Sequence, residues 1–250
     1  MNKSESIIEN IRNKLKKTAP ELTKDQLERR DKILNSNNPN FRGYGHKISE
    51  IEKIVKDIKK DTLSTYEEAI KVFETLISSD IHEEKFAAVL FLNLFKKKFD
   101  RNTINVFYDS FKTYCDTWAL CDSTMIRVVG SFLGKKGNED LAKSTIDKWS
   151  NSENLWIRRA SMVILLKIIM LKKSFFVSED YIFDLGEKML KFEEDYILKG
   201  FGWLLKTYSK YNPEIIFKYL NNNRKNLPRL VLRYASEKLP KENRAQILRK

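Results

Sequence analysis

Trp118 and Asp122 are four residues apart in a segment that we expect to be helical. That spacing places the indole and the carboxylate on one helix face, about one turn apart. A carboxylate beside an aromatic platform could stabilise the oxocarbenium character that develops when an N-glycosidic bond breaks, and it could orient an attacking water. A core tryptophan followed by a surface aspartate would give the same spacing, so the pair alone leaves two interpretations open.

Two adjacent arginines follow in the segment that begins with Leu155 and Trp156. Asn154 can cap this helix, whose apolar side must face the core. Neighbouring helical residues point in different directions, so we expect one of Arg158 and Arg159 to bind a phosphate bidentately while the other pairs with a nearby acid. Two ordinary solvated charges are the alternative.

Trp203 follows two glycines, Gly200 and Gly202, inside a helical pattern. Glycine destabilises a helix interior, so its use here predicts the close approach of a neighbouring helix or a ligand. Trp203 could then form a second wall around a cationic purine, because cation–π attraction to an indole increases when water is excluded. A core tryptophan is the alternative here too.

Composition and charge favour a polyanionic partner. The chain has 47 Lys and Arg against 34 Asp and Glu, a formal net charge of +13, and 42% hydrophobic residues over 250 positions. Such a chain can bury a substantial core, and its charge favours nucleic acid through counterion release, although membrane surfaces and acidic proteins attract the same charge. No stretch predicts a bilayer span or anchor, and we expect an intracellular, cytoplasmic protein that joins the nucleoid when bound to DNA.

Cysteine and histidine usage predicts no metal site. Cys115 and Cys121 should lie on different sides of a helix, as reduced thiols that pack like small apolar side chains. His46 and His82 are the only histidines, no Cys/His cluster accompanies them, and His82 is expected at a helix start. The chain also lacks a phosphate-cradling glycine loop, so we expect neither a nucleotide nor another cofactor.

Apolar residues recur at three- and four-residue steps over long stretches, which predicts a nearly all-helical protein. The clearest break is residues 35–45, where two glycines, a proline and clustered asparagines forbid a continuous helix. Beyond this break, five helices are predicted to begin at spacings of 33 to 41 residues, near His82, Asp116, Asn154, Asp195 and Pro228. This spacing is typical of two-helix solenoid repeats.

A repeat array is therefore the predicted architecture. Each helix pair has an apolar face that only stacked neighbours can bury, and stacking leaves a concave surface able to follow duplex DNA. Residues 1–40 are expected to form an N-terminal helical segment and residues 41–250 the repeat array, with the two packing together as one domain.

From about Phe41 to Leu239 the chain resembles the DNA alkylation repair family of AlkD-like glycosylases. That family removes alkylated, positively charged purines from duplex DNA. The resemblance implies an all-α fold, a HEAT-like helical-repeat solenoid with a concave basic face. It rests on three features: the pair Trp118 and Asp122, the motif Asn-Leu-Trp-Ile-Arg-Arg-Ala at 154–160, and Gly-Phe-Gly-Trp-Leu-Leu-Lys at 200–206 followed by Asn212 and Pro213.

The resemblance also implies a role for each matching residue. Asp122 corresponds to the catalytic carboxylate and Arg159 to the active-site arginine. Trp118 and Trp203 correspond to two tryptophans that contact the deoxyribose and backbone around the lesion, which is not inserted into a deep pocket. Because the leaving base is already cationic and needs no protonation, one carboxylate can suffice to stabilise the sugar cation.

Four further residues are predicted to bind DNA. Lys206 stands where the family has a DNA-contacting arginine, and it keeps the charge but not the planar fork. The segment 41–46 is the counterpart of the family's N-terminal loop and supplies Arg42 and His46, while Arg158 comes from the arginine pair. Substrate range is the property affected by the positions that depart from the family pattern, which are Ala119, Cys121 and Lys206.

The predicted function is a metal-free DNA glycosylase of base excision repair, acting as a monomer on N3- or N7-alkylated purines in duplex DNA. One alternative is a non-catalytic helical-repeat protein that binds nucleic acid or senses its distortion. Another is a scaffold whose concave face takes an acidic peptide, which leaves the Trp/Asp arrangement unexplained. The glycosylase prediction requires two indoles and a guanidinium to converge on Asp122 in a groove lined with positive charge.

Overall fold

The computed structural model describes residues 2–171 and 177–249. Within these ranges there is no β-strand, and the single extended contact is an isolated parallel bridge between Arg42 and Ile81. The helices group into two compact units, Met1–Thr124 and Met125–Lys250. The all-α helical-repeat fold predicted from the sequence is confirmed.

From residue 2 onward the first unit contains seven α-helices, several of which begin at a capping side chain. Asn2, Thr23, Thr65 and Asp100 each accept a hydrogen bond from a backbone N–H of the turn that follows, which satisfies donors that the helix itself cannot. The helices are α1 (Lys3–Lys17), α2 (Lys24–Leu34), α3 (Ile48–Thr62), α4 (Tyr66–Ile77), α5 (His82–Asn93), α6 (Arg101–Tyr114) and α7 (Trp118–Thr124).

The core of this unit lies around α5. This helix is buried along nearly its whole length and packs against α3 and α4, and α1 packs against the same group of helices. Apolar side chains recur in α3 at three- and four-residue steps and face this core. The buried ones are Ile51, Ile54, Val55 and Ile58. Helix α2 differs from its neighbours because none of its residues is buried.

The predicted break between α2 and α3 is confirmed. Asn35 ends α2 in the left-handed conformation at φ 45°, which asparagine tolerates better than most residues. Gly45 adopts φ +95°, and a Cβ built there would lie 2.4 Å from Leu22 Cδ1. Both the backbone conformation and the close contact require glycine at this position.

The second unit begins with a π-helical turn, Met125–Val129, and its described residues form eight α-helices. Helix α10 is buried on nearly all sides and packs against α9 and α12, and α12 packs in turn against α14. The helices are α8 (Gly130–Leu133), α9 (Glu139–Ser150), α10 (Leu155–Leu171), α11 (Glu179–Met189), α12 (Asp195–Tyr208), α13 (Pro213–Asn222), α14 (Arg229–Ala235) and α15 (Lys241–Leu248).

The five predicted helix starts are confirmed to within two residues. Helices α5 and α12 begin at the predicted residues His82 and Asp195, and Pro228 directly precedes α14. Asn154 caps α10 as expected, because its Oδ1 accepts the N–H groups of Trp156 and Ile157 at 3.0 and 3.1 Å. Local sequence signals were therefore sufficient to place these boundaries, and at α10 the signal is a capping side chain.

Gly186 allows α11 and α12 to approach closely. A Cβ built on Gly186 would lie 2.0 Å from Cζ of Phe201, whose ring is completely buried. We expect Gly186→Ala to lower the free energy of unfolding by about 1–3 kcal/mol, because the packed ring has no free space to move into. The midpoint of urea denaturation measures this change. In a Phe201→Leu background, which lacks the ring, the added cost of Gly186→Ala should shrink; an undiminished cost would contradict the steric explanation.

Candidate nucleic-acid site

Helix α7 places Trp118 and Asp122 on one face. Thr117 precedes the helix; its Oγ1 accepts the N–H of Leu120 at 3.2 Å and its carbonyl accepts the N–H of Cys121 at 3.1 Å. These two bonds fix the first turn. Because Trp118 and Asp122 are four residues apart within Trp118–Thr124, the indole and the carboxylate lie about one turn apart.

The surroundings of these two side chains differ. The Trp118 side chain is half-buried, and its indole Nε1 donates to the Ile33 carbonyl oxygen at 2.9 Å. The last turn of α2 therefore holds the indole in one orientation. Asp122 is only 7% exposed. A carboxylate shielded from bulk water interacts more strongly with a developing positive charge than a solvated one does.

The start of α7 is fixed by a buried ion pair that the sequence analysis did not identify. Nζ of Lys85 lies 2.6 Å from Oδ2 of Asp116 and also donates to the Tyr114 carbonyl at 2.8 Å. Both partners are buried, with side-chain exposures of 4% and 8%. The backbone N–H of Asn37 donates to the Asp116 carbonyl at 3.3 Å, so the α2–α3 loop is bound to the same point.

The loop that supplies Arg42 and His46 is held from both sides. Oε2 and Oε1 of Glu83 accept the N–H groups of Tyr44 and Gly45 at 2.8 and 2.6 Å, and Nη1 of Arg30 donates to the Gly43 carbonyl at 2.6 Å. A carboxylate that accepts two backbone N–H groups holds a loop firmly. Neither Glu83 nor Arg30 was predicted to have this role.

The two predicted DNA-binding residues of the loop are placed differently. Arg42 is exposed, and its backbone is fixed by hydrogen bonds to Asp80 and His82 at 2.9 and 2.8 Å. His46 is half-buried, with Nε2 3.0 Å from Oγ1 of Thr18. Arg42 is thus the loop residue whose charge faces water.

His82 packs beneath this loop against two aromatic rings. Its ring centroid lies 5.4 Å from that of Phe41 and 4.8 Å from that of Phe86, both in edge-to-face geometry. Burial lowers the pKa of His82 from its usual 6.5 to about 4, although the adjacent Glu83 opposes the shift. The imidazole is therefore neutral in the folded protein at neutral pH.

This depressed pKa predicts a pH-dependent stability. Above pH 6.5 the ring is neutral in both states, whereas between pH 6.5 and about 4 only the unfolded chain binds the proton, so stability falls as the pH falls through this window. The loss should reach roughly 3 kcal/mol. Urea denaturation of wild type and His82→Phe between pH 4 and 8 gives the free energy of unfolding of each protein against pH. The difference between the two curves isolates the contribution of His82, because the carboxylates contribute to both. Parallel curves for the two proteins would show that His82 does not titrate in this way.

In the second unit the two adjacent arginines of α10 are both buried, at 3% and 6% exposure for Arg158 and Arg159. Arg158 pairs with Glu194 at 2.5 Å, and its Nη1 donates to the carbonyls of Ser152 and Glu153 at 3.0 and 2.7 Å. Its guanidinium also lies over the Phe192 ring, 3.9 Å from the centroid. Arg158 is thus buried and paired within the unit, and its predicted contact with DNA stays a prediction.

Arg159 points to α12. Its Nη1 donates to the Tyr196 carbonyl and lies 3.4 Å from the position that a Cβ of Gly200 would occupy. Tyr196, Gly200 and Trp203 follow each other at helical spacings of four and three residues, so they share one face of α12. The guanidinium therefore lies along the face that carries Trp203.

The glycines of α12 make the close approaches that the sequence predicted. A Cβ on Gly200 would lie 2.8 Å from Cε of Met162 in α10, and one on Gly202 would lie 2.5 Å from Cβ of Tyr234 in α14. Trp203, which directly follows Gly202, is half-buried. One turn later, Nζ of Lys206 pairs with Glu237 at 2.8 Å, and its side chain is 21% exposed.

The structure thus shows two pairs of predicted site residues. Trp118 and Asp122 lie together in the first unit, and Arg159 and Trp203 share a helix face in the second. Their convergence on one lesion, and the concave basic face, stay predictions. Cys115 and Cys121 are buried thiols outside any disulfide, as expected, but they do not share a helix as predicted, because Cys115 ends α6 and Cys121 lies in α7.

These observations define the class of the protein as an all-α helical-repeat protein whose buried acidic and basic side chains lie beside tryptophans. The family described as DNA alkylation repair enzyme matches residues 11–239, and the chain belongs to this family. This membership supports a role in the repair of alkylated DNA.

A solved structure shares the fold. The chain is similar to a predicted DNA alkylation repair enzyme from Enterococcus faecalis, with a TM-score of 0.71 and 20% sequence identity over 90% of this chain and 100% of the other. No curated protein matches the chain. None of the helices within the described ranges is long and apolar enough to span a membrane. In the same part of the chain, no three His, Cys, Asp or Glu side chains are grouped to hold a metal ion.

Proposed function

We propose that the protein is a DNA glycosylase that hydrolyses the N-glycosidic bond of cationic N3- or N7-alkylated purines in duplex DNA. The observation that carries this proposal is the pairing of Asp122, 7% exposed, with the half-buried Trp118 on one face of α7. A shielded carboxylate beside an indole is suited to a positive charge that develops on a planar sugar ring. Membership of the alkylation repair family supports the choice of substrate.

The reaction needs one carboxylate. The bond between C1′ and the purine nitrogen breaks, and its electron pair stays with the cationic base, which leaves as a neutral molecule without being protonated. Asp122 stabilises the oxocarbenium ion electrostatically, and water then attacks C1′ and loses a proton. A neutral, unmodified purine would need a general acid for the same step, which is the basis of the selectivity for cationic lesions.

Arg159 and Trp203 hold the lesion-bearing DNA in this proposal. The Arg159 guanidinium is suited to a phosphate oxygen because its planar N–H groups can bind two oxygens at once. Trp203 contacts the sugar and backbone as Trp118 does. Arg42, His46 and Lys206 add contacts to the duplex, and the exposed Arg42 is expected to contribute most among them.

Base release from two duplexes tests the proposed function. One contains 7-methylguanine, whose base is cationic, and the other contains hypoxanthine, a neutral purine that needs protonation to leave. We expect the wild-type protein to release 7-methylguanine and to leave hypoxanthine in place. Release of both bases at similar rates would point to a general acid and overturn the one-carboxylate mechanism.

A non-catalytic DNA-binding function is the second candidate, favoured by the net charge of +13. It predicts binding to the 7-methylguanine duplex that weakens steeply with salt, with no base released at any enzyme concentration. The same two duplexes therefore separate the candidates when binding and release are both recorded.

A further inference from the structure

A polar cavity of about 790 Å³ lies in the second unit, away from the residues discussed above. It is formed by the C-terminal end of α13, the turn that follows, and α15. The family match ends at residue 239, and α15 spans Lys241–Leu248. One wall of the cavity is thus outside the part of the chain that the family accounts for.

The walls of this cavity suit an anionic ligand. Three of the lining side chains are cations, Arg224, Lys225 and Arg249, against a single acid, Glu242. Most of the other lining residues are carboxamides, which donate and accept hydrogen bonds: Asn221, Asn222, Asn226 and Gln246. Ala245 is the only apolar residue among those that line the cavity, so the functional groups around it are mainly charged and carboxamide groups.

Hydrogen bonds join the two walls of the cavity and fix their spacing. Nη1 of Arg224 donates to the Gln246 carbonyl at 3.0 Å, and Nε2 of Gln246 donates to Oδ1 of Asn221 at 3.1 Å. Arg229, just outside the cavity, donates to the Leu248 carbonyl at 2.6 Å. The last turn of α15 is therefore fixed to the α13 side, which reduces the conformational entropy lost when a ligand binds.

The two remaining cations are free to bind. Among the described residues, neither Lys225 nor Arg249 forms an ion pair or a side-chain hydrogen bond, and both are exposed. Glu242 likewise forms no ion pair within this part of the chain. The charges of the cavity are thus not neutralised by one another.

We propose that this cavity binds phosphate groups of a nucleic acid strand, through Lys225, Arg249 and the neighbouring carboxamides. Guanidinium, ammonium and carboxamide donors are the groups that proteins use for phosphate and sugar oxygens. The strand is favoured over a free nucleotide because no aromatic side chain lines the cavity, so a base has no ring on which to stack. The choice of DNA as the strand rests on the proposed function.

The test compares the salt dependence of duplex binding for wild type and Lys225→Ala/Arg249→Ala. Loss of two phosphate contacts should reduce the slope of log Kobs against log[salt] by about 2 and weaken binding at least about tenfold at 0.1 M salt. Arg224 is left intact because it holds α15. A Lys218→Ala/Lys241→Ala variant removes the same charge from α13 and α15 outside the cavity and should change the slope less; an equal change would overturn the proposal.

A second variant has the opposite sign. Glu242→Gln removes the single acid of the lining and should tighten duplex binding about threefold or more, whereas Glu214→Gln, on α13 outside the cavity, should not. Unchanged affinity for Glu242→Gln would count against a phosphate in the cavity.

Titration with inorganic phosphate and AMP separates the two sources of phosphate. If AMP binding is lost in Lys225→Ala/Arg249→Ala while the salt slope for the duplex is unchanged, the cavity takes free nucleotides and the strand proposal fails. If the wild type releases no base while Lys225→Ala/Arg249→Ala still reduces the salt slope by about 2, the glycosylase function is refuted and the phosphate site is supported.

Discussion

Asp122→Asn is expected to lower the rate of 7-methylguanine release from duplex DNA at least about 100-fold. Asparagine has nearly the shape of aspartate but no charge, so the oxocarbenium ion loses its stabilising partner. The effect should fall on the rate constant at saturating enzyme, measured in single-turnover experiments, because the carboxylate acts in the transition state.

DNA affinity should behave differently in this variant. Removing a negative charge close to a polyanion leaves binding unchanged or tightens it slightly, so loss of release with retained binding identifies a chemical role. Asp109→Asn, an exposed position on α6 in the same unit, is the matched control and should release the base at the wild-type rate. Release within about threefold of wild type by Asp122→Asn would remove the carboxylate from the mechanism.

The largest expected effect on stability comes from Lys85→Met. Methionine fills the space of the lysine stem but leaves the carboxylate of Asp116 buried without its cation. Oδ1 of the same carboxylate already has no hydrogen-bond partner. A buried ion pair that loses one partner typically costs about 3–5 kcal/mol. We expect a loss of this size in the free energy of unfolding, measured by urea denaturation at pH 7.

Two comparisons make this second prediction specific. Lys53→Met, at an exposed position of α3, should be close to neutral. The double variant Lys85→Met/Asp116→Asn removes both charges and should recover a large part of the lost stability, because the uncompensated carboxylate is then gone. A double variant that is as unstable as the sum of the two single variants would show that the pair is not coupled.

The single variant Lys85→Met also separates an effect on stability from an effect on the rate of base release. Lys85 lies in α5 and pairs with Asp116, just before α7, so it does not belong to the pair Trp118 and Asp122. At a temperature where Lys85→Met is still folded, base release per folded molecule should match that of wild type. A lower rate would mean that the position of α7 depends on the ion pair and that the effect reaches Asp122.

Much of the fold was predictable because its signals are local. A capping side chain reaches a backbone N–H only three residues away, so Asn154 placed the start of α10 to within one residue. The other predicted starts were placed to within two residues by the change from polar to periodic apolar residues. Glycine in a helix interior signals a close neighbour wherever that neighbour comes from, and both Gly200 and Gly202 have one. The motifs around Trp118, Arg159 and Trp203 also identified the family that matches residues 11–239.

Only the tertiary structure decided which partner each buried polar group has. Lys85 and Asp116 are 31 residues apart, and Glu83 and Gly45 are 38 apart, so no spacing in the chain connects them. The sequence predicted that one of the two adjacent arginines in α10 pairs with an acid, and the structure shows Arg158 paired with Glu194. The physical reason is that a charge taken out of water must be compensated by whatever group the packing brings near, and packing joins helices that are distant in sequence.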